Sequence, residues 1–168
     1  MKISCTKKVI DYAKLATDMK DIKHDIYAWH VNYQLVNNKP FFIFMNDLTK
    51  FSVCIYGLKK QDFKDLGFDL YHAIRHQFIM VGYQPNLIEK YIKDIDEVTF
   101  LKTESRKTVA RLNRIMDDGL AILEGIGIDT DNTEQNLLAY KLNQMILSED
   151  KENYFTPIEK MHDYLNLL

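Results

Sequence analysis

The stretch from Tyr27 to Leu58 constrains this chain more than any other. Its odd positions Tyr27, Trp29, Val31, Tyr33 and Leu35 are apolar or aromatic, while His30, Asn32 and Gln34 are polar. A period of two is the pattern of a strand with one buried face. Asn37 and Asn38 follow, and Asn tolerates the left-handed backbone of a tight turn, with Pro40 setting φ just beyond. Phe41 to Met45 is apolar without alternation, which marks a central strand covered on both faces. Asn46, Asp47, Leu48 and Thr49 form a second turn, in which Asx and Thr side chains cap their own backbone. Phe51, Val53 and Ile55 then alternate with Ser52, Cys54 and Tyr56. Three such runs predict an antiparallel meander. If the outer strands turn their apolar sets to one core, His30, Asn32, Gln34, Ser52, Cys54 and Tyr56 share the opposite face. Plain solvation of that face is the ordinary expectation, and ligand binding is the alternative.

The rest of the chain supplies one strand before the meander, one after it, and a set of helices. Lys2 to Cys5 reads as a first strand, with Thr6 as N-cap of a helix through Val9, Ile10 and Ala13. Residues 18 to 25 form a charged connection. After Gly57 and Leu58, a long helix is predicted over Lys60 to Val81, because Phe63, Leu66, Leu70, Ile74, Phe78 and Val81 keep helical spacing. Gly82 ends it, and Pro85 opens a helix carrying Leu87, Ile88, Tyr91, Ile92 and Ile95. Glu97 to Lys102 is a further strand expected to join the sheet. Thr103 to Ser105 starts a helix over Arg106 to Glu124, with Val109, Leu112, Met116 and Leu123 on one face and Gly125 and Gly127 as its stop. Asn132 with Gln135 reads as a capping pair before a helix through Leu138, Leu142 and Met145, and a last helix follows Thr156 and Pro157.

Composition narrows function chiefly by exclusion. At 168 residues and 46% hydrophobic, the chain is sized for one domain with a real core. A net charge of −2 provides no global field for nucleic acid or an acidic membrane, so any such contact needs a local patch. No apolar run reaches transmembrane length and no signal peptide is read at the start. Cys5 and Cys54 have no metal spacing and read as buried thiols, which with the rest predicts a cytoplasmic protein. Richness in Lys, Ile, Asn and Tyr associates with AT-rich bacterial or phage genomes.

No P-loop, GxGxxG, GxSxG, HExxH or CxxC occurs, and no cofactor is expected. No metal is expected either. His72 and His76 have helical ligand spacing but no third partner, and the segment from Asp129 lacks the Gly and the acid of a calcium loop, where Glu134 and Tyr140 stand. Two constellations remain. Lys102, Arg106 and Lys107, with Thr103 and Ser105, gather at a predicted helix N-terminus, whose free amides with cations make an anion-binding arrangement. Arg111 and Arg114 continue it, and salt bridges to Asp47, Glu104, Asp117 and Asp118 are the plainer use of these cations. Secondly, His30 as base, Asp47 as its orienter and Lys102 with Arg106 on a phosphate would make a phosphodiester-directed site if the strand after residue 96 lies beside the meander. A structural hydrogen-bond network is the plainer reading there.

Several stretches together resemble an uncharacterised family of small, mostly bacterial proteins, a domain of unknown function. They are Ile3 to Lys8, Trp29 to Asn32, Phe44 to Thr49, Tyr56 to Phe63 and Thr99 to Arg106, so that the likeness spans roughly residues 1 to 118. Val31 and Lys107 depart from the family pattern, where a small residue and a Ser are usual. The resemblance implies no activity. It marks His30, Asn32, Asn46, Asp47, Lys102, Thr103 and Arg106 as the group to test.

The fold expected is therefore α+β: an antiparallel meander sheet packed by helices over residues 1–125, with a helical extension over 126–168 lying on the core or on a partner. The function expected first is that of a small binding or regulatory protein of a bacterium, phage or mobile element, acting on a protein partner without catalysis. The alternatives are a nucleic-acid- or nucleotide-directed enzyme using His30, Asp47, Lys102 and Arg106, and a sensor of a small anion at the Lys102–Arg106 helix start, with Asn32, Asn46, Thr103 and Lys107 as further binding candidates.

Overall fold

A computed structural model describes residues 1–18, 25–95, 97–103, 105–150 and 152–168. Most of the charged connection, and Glu104 among the expected salt-bridge partners, lie outside the described residues. The chain opens with strand β1 (Lys2–Cys5) and helix α1 (Lys7–Ala13), then runs through the meander β2 (Ala28–Val36), β3 (Lys39–Asn46) and β4 (Ser52–Tyr56). Asn37 and Asn38 both take positive φ, 49° and 62°, as the tight turn between β2 and β3 requires. A short 3₁₀ helix (Lys60–Lys64), α2 (Leu66–Met80) and α3 (Pro85–Ile92) lead to β5 (Thr99–Lys102). Helices α4 (Arg106–Ile126) and α5 (Asn136–Asn143), a hairpin of β6 (Leu147–Ser148) and β7 (Tyr154–Phe155), and α6 (Pro157–Asn166) complete it.

The five main strands lie in the order β4-β3-β2-β1-β5. The meander is antiparallel as expected, but β1 runs parallel to both β2 and β5, so the sheet is mixed. The reason is topological: β1 reaches β2 through a helix, and a helical crossover returns the chain in the same direction where a two-residue turn would reverse it. β5 pairs with β1 at the edge away from the meander.

Both faces of the sheet are covered. On the first, Trp29, Val31, Phe42, Phe44, Val53 and Ile55 pack against residues of α1, α2, α3 and α6, among them Val9, Leu70, Phe78, Tyr91 and Met161. On the second, Phe41, Ile43, Met45, Cys54 and Tyr56 pack against Leu112 and Met116 of α4 and Leu138 and Leu142 of α5. The unalternating run of β3 is thus a doubly covered central strand. The half-polar face of β2 and β4 is not a solvated one, because α4 and α5 lie over it. Each of the last two helices buries its apolar side in a core, α5 in the second and α6, through Met161 and Leu165, in the first.

Local signals differ from expectation at three points. The helix predicted from Lys60 is broken at Asp65, which has φ −113° and separates the 3₁₀ turn from α2. Thr6 precedes α1 in extended geometry but makes no side-chain cap, its hydroxyl being given to Asn32 instead. Asn132 does not cap α5: Gln135 does the local work, accepting from the Asp129 amide and donating to the Asp129 and Asn132 carbonyls. Among the described residues no helix is long and apolar enough to cross a membrane.

Candidate functional site

The register of β2, β1 and β5 decides which polar side chains meet. Ser4 is paired with His30 on one side and Leu101 on the other, so these positions share the face beneath α4. Two residues past Leu101, Thr103 lies on that same face, and Thr6 follows Ser4 in the same way. Ser4 is small, which leaves the space above β1 through which His30 reaches across to Thr103.

His30 is 1% exposed and holds two partners. Its Nδ1 lies 2.5 Å from Asp47 Oδ1 and its Nε2 lies 2.9 Å from Thr103 Oγ1. With Asp47 an ionised acceptor, Nδ1 carries the ring proton and Nε2 is left to accept the Thr103 hydroxyl proton. Asp47 is buried in the β3–β4 turn, where its amide donates to the Ala28 carbonyl at 2.9 Å. Thr103 is half-buried at the junction of β5 and α4. A carboxylate, an imidazole and a hydroxyl thus form one chain running from the core to an accessible end.

Around it the polar candidates divide. Asn32 accepts from Thr6 and from the Tyr33 amide through Oδ1 and donates to Asn113 of α4, which ties β1, β2 and α4 together. Asn46 caps the turn, its Oδ1 accepting from Leu48 N, Thr49 N and Thr49 Oγ1, while its amide donates to the Ile26 carbonyl. Both are engaged in holding the backbone. Arg106 is exposed at the start of α4, but Lys102, paired with Cys5 in the register, is turned by strand alternation to the face opposite Thr103 and does not join the group. The structure brings His30, Asp47 and Thr103 together, across β1 rather than by direct neighbourhood of β5 and the meander.

Ser105 caps α4, its Oγ accepting from the Thr108 amide at 3.1 Å and from Thr108 Oγ1 at 2.8 Å. Replacing Ser105 by Ala is expected to cost about 1 kcal/mol in urea unfolding. A change under about 0.3 kcal/mol would mean that the cap contributes little to placing Thr103.

Lys107, Arg111 and Arg114 face a different feature, a cleft of about 660 Å³ between α4 and the β6–β7 hairpin. Lys50 lines it too, and its Nζ donates to the Asp47 carbonyl. Burial holds the Lys50 ammonium below the usual lysine range; Asp47 opposes that shift, while Lys160 and Arg111 add to it. Lys50, Ser4 and the hairpin were not legible as site features in the sequence, and Thr6 was legible only as an N-cap. Lys50 had a signal, standing three residues after Asp47 in the same turn, where its φ is +64°. The hairpin had none, since its strands are two residues each.

Elsewhere, Cys5 and Cys54 are buried free thiols, and burial pushes the Cys5 thiol up to about 12. His76 pairs with Glu134, Nδ1 to Oε2 at 2.7 Å, across the α2–α5 boundary.

No curated protein and no solved structure matches this chain. A family model does, over residues 2–160, which takes in α5, the hairpin and the first turn of α6 beyond the motifs noted above. The chain therefore belongs to the family described as a domain of unknown function, DUF6933.

Proposed function

We propose that this chain is an enzyme acting on a phosphate ester, with Thr103 as the nucleophile, His30 as the base and Asp47 as the group that orients the imidazole. The observation that carries the reading is the Asp47–His30–Thr103 chain, with both ring nitrogens engaged and the hydroxyl at its outer end. The arrangement of acid, imidazole and hydroxyl is that of an activated nucleophile, recognised by geometry rather than by sequence order. Thr103 Oγ attacks phosphorus and its proton passes to His30 Nε2. The leaving oxygen then takes that proton as its bond to phosphorus breaks, and a water that gives its proton to Nε2 attacks the phosphothreonine, breaking the Oγ–phosphorus bond and returning the proton to Thr103 Oγ. Arg106, exposed at the start of α4, offsets charge on the phosphoryl oxygens, and the Arg106 and Lys107 amides, which have no intrahelical acceptor, add to this. The enzyme reading is taken ahead of a purely interacting role because α5 and α6 bury their apolar sides within the two cores.

Turnover of p-nitrophenyl phosphate and bis(p-nitrophenyl) phosphate tests it, with Thr103→Val and His30→Gln beside the natural chain. Turnover is expected to fall by roughly 10²–10⁴ in each variant, the scale of losing positioned acid–base chemistry. The Thr103→Val melting temperature should fall only slightly, by the loss of one hydrogen bond. No turnover of either ester, or equal turnover by Thr103→Val, would overturn the assignment.

A further inference from the structure

The cleft between α4 and the β6–β7 hairpin gathers four cations, Lys50, Lys107, Arg111 and Arg114, in a chain whose net charge is −2. Three of them sit at positions 107, 111 and 114, one face of α4, where like charges three and four apart destabilise a helix. Lys50 approaches from the β3–β4 turn. Two acids also line the cleft, but both are engaged. Glu149 pairs with Lys160, and Asp150 accepts from the Glu152 and Asn153 amides and from Asn153 Nδ2, capping the turn of the hairpin. Arg111 donates to the Ser148 carbonyl at 2.6 Å, which fixes the hairpin as the opposite wall. Phe155 adds an aromatic surface to that wall.

We propose that this cleft is a binding site for a small ligand carrying two or more phosphate groups, of the size of a nucleoside di- or triphosphate. Cations kept together against their mutual repulsion mark a place where function overrides local stability. A volume of about 660 Å³ is that of a small-molecule site, and lysine and arginine on one cleft are the chemistry that phosphate oxygens select. An anion there would offset the burial, and the repulsion from Lys160 and Arg111, that disfavour the charged form of Lys50. The site is separate from Thr103, and binding does not require Thr103 to react.

Calorimetric titration of the full chain in about 50 mM salt tests this, using inorganic tripolyphosphate, ADP and a twelve-nucleotide single strand as probes. The variant is Lys107→Gln with Arg114→Gln, which leaves the Arg111–Ser148 contact in place; Thr103→Val serves as a control. Tripolyphosphate and ADP should bind, and the double variant should weaken both by at least tenfold while its own melting temperature does not fall and rises slightly as the repulsion is removed. Thr103→Val should bind as the natural chain does, so that loss of ester turnover and loss of binding are separable. Wild-type affinity in the double variant would overturn the proposal, as would the absence of heat with tripolyphosphate and ADP at millimolar concentration. Binding of the oligonucleotide alone would overturn the small-ligand assignment in favour of an extended backbone.

Discussion

Asp47→Ala is expected to lower folding stability by about 1–3 kcal/mol, the cost of leaving the buried Nδ1–H of the neutral His30 imidazole without its acceptor. His30 is 1% and Asp47 7% exposed, so water cannot readily replace the lost carboxylate at Nδ1. The imidazole would lie buried beneath α4 with an uncompensated donor, which is the expensive outcome of losing half of a hydrogen-bonded pair. A stability of 5–15 kcal/mol is typical of a domain, so the loss would be a large share of the whole. Urea unfolding measures it directly. Trp29 is the single Trp and fully buried, so its fluorescence reports the transition. In a double-mutant cycle the pair His30→Ala and Asp47→Ala should cost less than the sum of the two, by roughly 1–3 kcal/mol. Additive losses, or a loss below about 1 kcal/mol for Asp47→Ala, would show that the 2.5 Å contact carries little energy in solution.

Phe42→Ala should be more severe, about 3–5 kcal/mol, for an unrelated reason. Phe42 is fully buried in the centre of β3, with ring centroids 5.2 Å from Tyr33, 5.5 Å from Phe63, 5.9 Å from Tyr12 and 6.3 Å from Phe44. It joins the sheet to α1 and to the 3₁₀ turn, and these neighbours belong to different elements, so they cannot close together over an emptied site. For a chain of this length the melting temperature should fall by roughly 6–20 °C. Phe42→Leu, which keeps most of the volume, should cost clearly less. A drop under roughly 3 °C for Phe42→Ala would mean that the aromatic cluster repacks, against the close-packed reading of this core.

The two substitutions also separate what was visible in the chain from what was not. Phe42 was legible: an apolar run without alternation between two turn signals predicted a doubly covered strand, and β3 is one. The turns were legible as well, because the φ of Asn37 and Asn38 and the Asn46 Oδ1 contacts to Leu48 and Thr49 act within a few residues. His30, Asp47 and Thr103 were legible as candidates but not as a chain. Their meeting depends on β1 lying between β2 and β5, and on Ser4 being small at the crossing point. Lys50 and the β6–β7 hairpin were not legible, since the cleft they complete exists only once α4 is laid beside them.

The sequence by itself determined the strands of the meander, the apolar faces of α2, α3 and α4, and the punctuation at Gly82, Pro85 and Thr156. Those features rest on side-chain periodicity and backbone preference, which act over two to four residues. Tertiary structure alone decided that β1 runs parallel between β2 and β5, that the polar face of β2 is roofed by α4, and that Thr103 receives the far end of the His30 imidazole. Each of these pairs residues tens of positions apart. Such pairings are selected by which arrangement buries both faces of the sheet while leaving every buried polar group a partner, a condition on the whole chain that no local pattern encodes.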